Sequence, residues 1–201
     1  LEFSEKQIIL MKKTTALVLL FIFTTIVNAQ RFDILSGKLE NLKEISEYNV
    51  VFDYSDLEVN GFDSEQAYLK EKIEKRQHYD SKKAEKFEES WYSDRENKYE
   101  PKFISYFNEQ LQKEKVVVSR NTEAKYSMNV KTTWVYPGYE LAKVEPAKIS
   151  AIITIVETAN PSKILVAIQF DKVIGIVKNY RQQGDRISGA YEKLAKNFAM
   201  Q

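Results

Sequence analysis

Cysteine is absent from the 201 residues, and histidine occurs once. Without thiols there is no disulfide scaffold, no thiolate nucleophile and no Cys-based zinc site. A single imidazole cannot supply a multi-histidine metal centre. Glycine and proline are scarce, at six and four residues, and Gly184 and Gly189 stand in no Gly-rich phosphate-loop pattern. Neither charge sign prevails: 30 Lys and Arg face 29 Asp and Glu, interleaved along the chain. Binding to a phosphate backbone needs clustered cations, so nucleic acid is not an expected partner. Long apolar runs are missing too, with one exception near the start.

That exception begins with Met11-Lys12-Lys13 and continues as a twelve-residue apolar run from Ala16 to Val27, relieved only by Thr24 and Thr25. Asn28-Ala29-Gln30 follows, which puts small residues where a signal peptidase wants them. The run is shorter than the ~20 residues that span a bilayer. Residues 11–29 therefore read as a signal peptide with cleavage expected after Ala29. Leu1 to Leu10 place Glu2 and Glu5 ahead of a region that wants positive charge, so residues 1–10 read as a mis-called or non-native upstream extension. Gln30 stands where a lipoprotein would need Cys, and no later run approaches membrane length. The expectation is an exported, periplasmic or extracellular protein, released rather than lipid-anchored and not membrane-inserted after cleavage. Residues 30–201 are expected to form one domain, formally neutral, whose stability rests on its core.

Hydrophobic period changes along that domain. Asn49 to Ser55 (NVVFDYS) is β-prone and predicts a first strand. Asp63, with Gln66 three residues on, has the form of a capping box, and a helix is predicted from about Ser64 to Gln77. Ala84, Phe87 and Trp91 then recur at helical spacing, as do Tyr99, Phe103, Phe107 and Leu111, with Ile104 and Tyr106 beside them. Pro101 suits the first turn of the second of these helices. These aromatics read as the buried face of helices lying on a sheet. Val116 to Ser119 is a shorter β-prone piece.

From Lys125 to Tyr136 strict alternation would put Tyr126, Met128, Val130, Thr132, Trp134 and Tyr136 on one face. Ile149, Ala151, Ile153 and Ile155 share a face of a second strand, and Ile164, Val166, Ile168 and Phe170 one of a third. Ala159-Asn160-Pro161-Ser162 predicts the turn of an antiparallel hairpin between those two. Ile187, Ala190, Tyr191, Leu194, Ala195 and Phe198 then form a helical stripe, with Asp185 as N-cap. The predicted fold is α+β: a two-layer sandwich with a mostly antiparallel sheet of about four strands, helices on one face, in the order β-α-α-β-β-β-α.

Chemistry-bearing candidates are few. Asp56-Leu57-Glu58-Val59-Asn60-Gly61 has the opening of a calcium loop, but its twelfth position falls on Ala67 and it follows a strand. A strand-to-helix turn explains it better. His78 sits at a predicted helix end, where the helix dipole favours a cation. Glu88, Glu89, Asp94, Glu96 and Glu100 could in principle serve glycosidase chemistry, yet a solvated, salt-bridged helix face accounts for them. No residue is assigned as catalytic, cofactor-binding or metal-binding, and no cofactor is expected. Trp134-Val135-Tyr136-Pro137-Gly138-Tyr139 leaves one strand for the next through a connection longer than a usual hairpin loop. Trp134, Tyr136 and Tyr139 are the candidate partner contacts, expected to be exposed; a packed hairpin end is the competing reading.

The leader ending Asn28-Ala29-Gln30 resembles the signals of Bacteroidetes exported proteins. The stretch from Asn49-Val50-Val51-Phe52-Asp53-Tyr54-Ser55 to the hairpin Val156-Glu157-Thr158-Ala159-Asn160-Pro161-Ser162-Lys163 resembles small uncharacterised exported proteins of that phylum. The order of elements is loosely similar to periplasmic envelope-accessory domains of the penicillin-binding-protein activator and curli-secretion lipoprotein type, from which the missing lipobox Cys departs. The resemblance implies a compartment and a fold, and it transfers no site residue. The expected function is an exported, non-enzymatic binding or assembly domain of the cell envelope, its partner an envelope protein or glycan. A carboxylate-dependent hydrolase of envelope sugars and a structural subunit of an envelope complex are the alternatives.

Overall fold

Branched and aromatic residues alternating with polar ones build most of this molecule's strands. The computed structural model describes residues 32–140, 144–176 and 182–201; the leader reading falls outside them. In chain order come β1 (Phe32–Gly37), a 3-10 turn (Leu39–Leu42), β2 (Glu47–Asp53), β3 (Glu58–Val59) and helix α1 (Glu65–Gln77). Next, α2 (Ser81–Asp94) and α3 (Glu100–Gln110) are joined by a π-helical turn, Arg95–Tyr99. Then follow β4 (Val117–Ser119), β5 (Tyr126–Tyr136), β6 (Tyr139–Glu140), β7 (Val144–Glu145), β8 (Lys148–Glu157), β9 (Asn160–Ile174) and α4 (Gln183–Ala199).

The fold is α+β, but its sheet is neither four-stranded nor mostly antiparallel, and the predicted order of elements does not hold. Seven strands form one mixed sheet in the order β1-β9-β8-β5-β2-β4, with β3 also pairing β5. β5, β8, β9 and β1 pair antiparallel. β2 runs parallel to both β4 and β5, and β3 is parallel to β5. Parallel neighbours need a crossover, and the three helical segments between β3 and β4 supply it. Alternation along a strand reports its buried face and not the direction of its neighbour. The prediction therefore missed the parallel pairings, along with β1 and the two-residue β3.

Helices cover one sheet face. Phe52 meets Phe103 of α3 edge-on at 5.6 Å, and Phe170 meets Phe198 of α4 at 6.3 Å. Met128, Val130, Ile153, Ile155, Val166 and Ile168 are fully buried beneath these helices. The aromatic stripe of the middle helices is core, as its spacing predicts: Trp91, Tyr99, Phe103 and Phe107 are buried. The α4 stripe is buried in full, and ring contacts Tyr99–Tyr191 and Phe107–Phe198 lock α4 against the π turn and α3. Pro101 does occupy the first turn of α3. No loop separates α3 from α2, because the intervening π turn bonds Glu100 N–H to the Arg95 carbonyl.

Local details correct four predictions. Ser64, not Asp63, caps α1 by accepting from Ala67 N–H at 3.1 Å. α4 begins at Gln183 with Gln182 as N-cap, which places Asp185 inside its first turn. The β8–β9 hairpin turns on Thr158-Ala159, with Glu157 opposite Asn160. Pro161 lies past that turn, where the register slips so that Val156 faces Ile164. A proline is harmless in such unpaired positions, and the slip leaves Ile164 at 46% exposure instead of in the core.

Candidate functional site

The carboxylates come first, since hydrolysis would need them. Glu88, Glu89 and Glu96 are exposed on the helices, as a solvated face requires. Glu100 is not: it is buried, and so is Glu65, which the sequence did not single out. Glu65 Oε1 accepts from Trp91 Nε1 at 2.5 Å and from the Arg95 guanidinium. Arg95 lies over the Tyr54 ring at 4.4 Å. Tyr54 donates to Glu100 Oε1 at 3.3 Å, and Arg120 holds the other Glu100 oxygen. Close by, the Tyr191 hydroxyl meets Thr132 Oγ1 at 2.5 Å.

Tyr54, Glu65, Trp91, Arg95, Thr132 and Tyr191, among others, line a void of about 10 Å³, while Glu100 and Arg120 line a separate, more open cleft of about 370 Å³. The void holds at most a single water. Burial drives the Tyr54 phenol well above its ordinary range, with Tyr191 and Glu100 adding to the shift. Burial likewise pushes Tyr191 up to about 12. Each carboxylate has an arginine and an uncharged donor, and the void beside Glu65 has no room for a substrate. The cluster ties α1, the π turn, β2, β5 and α4 together.

The aromatic candidates lie elsewhere, on the sheet face that the helices leave open. Trp134 and Tyr136 stand in β5 itself and not in a loop, and both are half-buried. Strict alternation would have aimed them at the core beside Met128 and Val130. A bulge between Thr132 and Trp134 reverses the parity, so Val135 is buried and the two rings face outward. A second bulge interrupts β9, where Ile149 pairs with Val173 but Ala151 pairs with Phe170.

Both bulges flank one residue, Ser150. Its hydroxyl donates to Asp171 Oδ1 at 2.8 Å and accepts from Lys172 N–H at 3.0 Å. Lys172 is thereby held at φ +45°, a left-handed conformation costly for a side chain with Cβ. Its ammonium lies 5.8 Å from the Trp134 ring centroid, and that of Lys148 lies 5.4 Å from Tyr136. Trp134 and Tyr136 are one pleat apart, about 7 Å along the strand. The result is a shallow platform of two rings, each flanked by a lysine.

Tyr139 opens the small β6–β7 hairpin and is 49% exposed. The turn leading to it is anchored from below. Buried Arg186 of α4 donates through Nε to the Pro137 carbonyl at 3.2 Å and through a terminal nitrogen to that of Gly138 at 3.4 Å. The structure thus leaves Tyr139 exposed, as predicted, while Trp134 and Tyr136 are half-covered. The platform residues absent from the sequence-based set are Lys148, Ser150 and Lys172. Only pairing register brings these together, so no spacing in the chain announces them.

Other sequence candidates stay apart from both clusters. Asp56 pairs with Lys131 at 3.1 Å, and Asp53 accepts from Ser55 N–H at 2.7 Å. Gly61 turns the chain at φ +82° on its way from β3 to α1, so the segment holds a short strand and the turn that follows it. His78 is the exposed C-cap of α1, its ring edge-on to Tyr79 at 5.1 Å. Among the described residues no three His, Asp or Glu side chains gather closely enough to hold a metal, and no helix is long and apolar enough to cross a membrane.

No protein-family model matches the sequence, and comparison with curated proteins gives no match. Comparison with solved structures finds a chain of the PelC dodecamer from Paraburkholderia phytofirmans, 10% identical over 84% of this chain and 96% of that one, at a TM-score of 0.39. The likeness is too distant to carry a function.

Proposed function

We propose that this chain is an exported, non-enzymatic binding or assembly domain of the bacterial cell envelope, and that the outer sheet face around Trp134, Tyr136 and Tyr139 is its contact surface. The double bulge at Ser150 carries this reading. Its β5 half turns two large rings away from the core and toward solvent, and its β9 half holds Lys172 at a strained φ of +45° beside them. Strain of this kind clusters at sites of function, and aromatic rings on a rigid frame are the usual anchors of an interface. Export rests on the basic, apolar and small-residue sequence of Met11 to Ala29. The hydrolase alternative is disfavoured because Glu65 and Glu100 are each bound by an arginine, and the void beside Glu65 is only about 10 Å³.

Photo-crosslinking in intact cells tests the proposal. A photoreactive residue at position 136 is expected to capture a discrete envelope partner, identified by mass spectrometry. The same probe at Tyr79, far out on the α1–α2 turn, is expected to capture none. Trp134→Ala with Tyr136→Ala should abolish capture through Tyr139 while the melting temperature changes little. Capture that survives the double variant would remove the platform from the interface. Loss of a measured glycan-cleaving activity on Glu65→Gln would instead favour the hydrolase.

A further inference from the structure

Where α3 ends at Gln110 and α4 at Ala199, their last apolar residues and the turn before β2 leave a gap. The cavity there measures about 150 Å³. Its floor is Ile45, Tyr48, Phe107 and Phe198, none more than 8% exposed, and its half-buried rim is Leu42, Leu111 and Val116. Ala199 brings only a methyl group to the wall, and exposed Gln201 spends its amide nitrogen on the Asn197 carbonyl at 2.9 Å. Tyr48 is the polar member of the floor. Tyr54, Tyr68 and Tyr191 place their hydroxyls on Glu100, Gln183 and Thr132. That of Tyr48 bonds to none of the described residues. Burial pushes this phenol up to about 12, helped by Tyr126, so near neutral pH it is an uncharged donor. A buried donor without a partner is destabilising, and a guest that accepts from it recovers the loss.

We propose that this cavity binds a small aromatic molecule with one hydrogen-bond acceptor, its ring against Phe107 and Phe198 and its acceptor on the Tyr48 hydroxyl. Size, lining and donor each point to that chemistry. An apolar cavity of this volume stays dry and takes a benzene ring. Water would need about two to four polar partners, and the floor side chains supply one. Three rings stand in the floor, with the Phe107 and Phe198 centroids 5.8 Å apart, and aromatic pairs gain more than their buried area alone. No Lys, Arg, Asp or Glu lines the space, so a charged guest would meet no counter-charge there. The volume excludes anything much larger than one substituted ring. An aryl ketone meets all of these conditions.

Two probes of nearly equal shape test the site. Acetophenone carries a carbonyl where isopropenylbenzene carries a methylidene group, so they differ chiefly in the acceptor. In the full chain with labelled methyl groups, acetophenone is expected to shift the NMR signals of Leu42, Leu111 and Val116 saturably. Tyr48→Phe removes the donor and keeps the ring. It should weaken acetophenone binding by about three- to tenfold, the usual worth of one hydrogen bond, and leave isopropenylbenzene binding unchanged. Ala199→Leu fills the cavity from its wall and should abolish binding of both probes. Circular dichroism verifies that both variants fold, and Tyr48→Phe decides by itself if Ala199→Leu does not. No saturable shift at those methyls, acetophenone affinity that survives Tyr48→Phe, equal weakening of the two probes by it, or binding that persists in folded Ala199→Leu would each overturn the proposal. The cavity lies on the helix side of the sheet, so none of these outcomes bears on the platform at Trp134.

Discussion

Glu65 shows how far a single side chain can reach in this molecule. It follows the Ser64 cap at the start of α1, yet it holds both the Trp91 indole and the Arg95 guanidinium. Removing one member of a buried ion pair strands the other, at a cost of about 3–5 kcal/mol. Glu65→Ala is expected to lower the urea unfolding free energy by about 3 kcal/mol. Glu65→Gln should cost less, because its amide oxygen still accepts from Trp91. The buried phenols set a pH limit. Burial first of all pushes Tyr48, Tyr68 and Tyr191 up to about 12, against about 10 in an unfolded chain. Above pH ~10 the unfolded chain gives up these protons while the folded one keeps them, so stability is complete below that pH and falls as pH rises toward ~12. Denaturation midpoints followed with tyrosinate absorbance check this, and a flat profile across that window would count against it. Gly138 is a residue no other can replace. It sits at φ +66°, and an added Cβ would lie 2.3 Å from the Glu145 carbonyl oxygen. Gly138→Ala should cost at least ~1–3 kcal/mol and disturb Tyr139 with it.

At the scale of elements, irregularities place the side chains that matter. The π turn Arg95–Tyr99 widens the helix just before Pro101. Through it Arg95 reaches Glu65, and Tyr99 stacks on Tyr191 with ring centroids 5.3 Å apart. The bulges in β5 and β9 do the same for the platform, and the left-handed Lys172 can be tested. Glycine adopts that conformation without penalty, while a β-branched residue adopts it worst. Lys172→Gly is expected to leave the melting temperature unchanged or slightly raised, by less than ~1 kcal/mol of stability. Lys172→Val should lower stability by more than ~1 kcal/mol. Equal effects of the two substitutions would mean that the strained backbone is not what holds the bulge. The sequence could not disclose either device. A π turn and a bulge each shift a repeat by one residue, and local spacing reads that shift as noise.

Across the whole molecule, one helix layer packs against one face of the sheet, and the proposed contact surface lies on the other. Replacing Trp134 and Tyr136 together by Ala is therefore expected to change thermal stability by less than the Glu65→Ala substitution alone, and parallel melts measure this. The chain by itself determined the α+β class, the buried stripes of the middle helices and α4, the core faces of β8 and most of β9, and the absence of any thiol chemistry. Those properties follow from period and composition, which are local and survive in any tertiary arrangement. It also marked Trp134, Tyr136 and Tyr139 as residues to weigh. Tertiary structure alone decided that β2 runs parallel to β5, that β1 forms one edge of the sheet, and that Glu65 and Glu100 are each held by an arginine. It likewise decided which way Trp134 and Tyr136 face. Each depends on which strand lies beside which, and in what register. Such pairings join residues as far apart as Ile34 and Ile168, and the free energy that selects them comes from burying whole faces together rather than from any one segment.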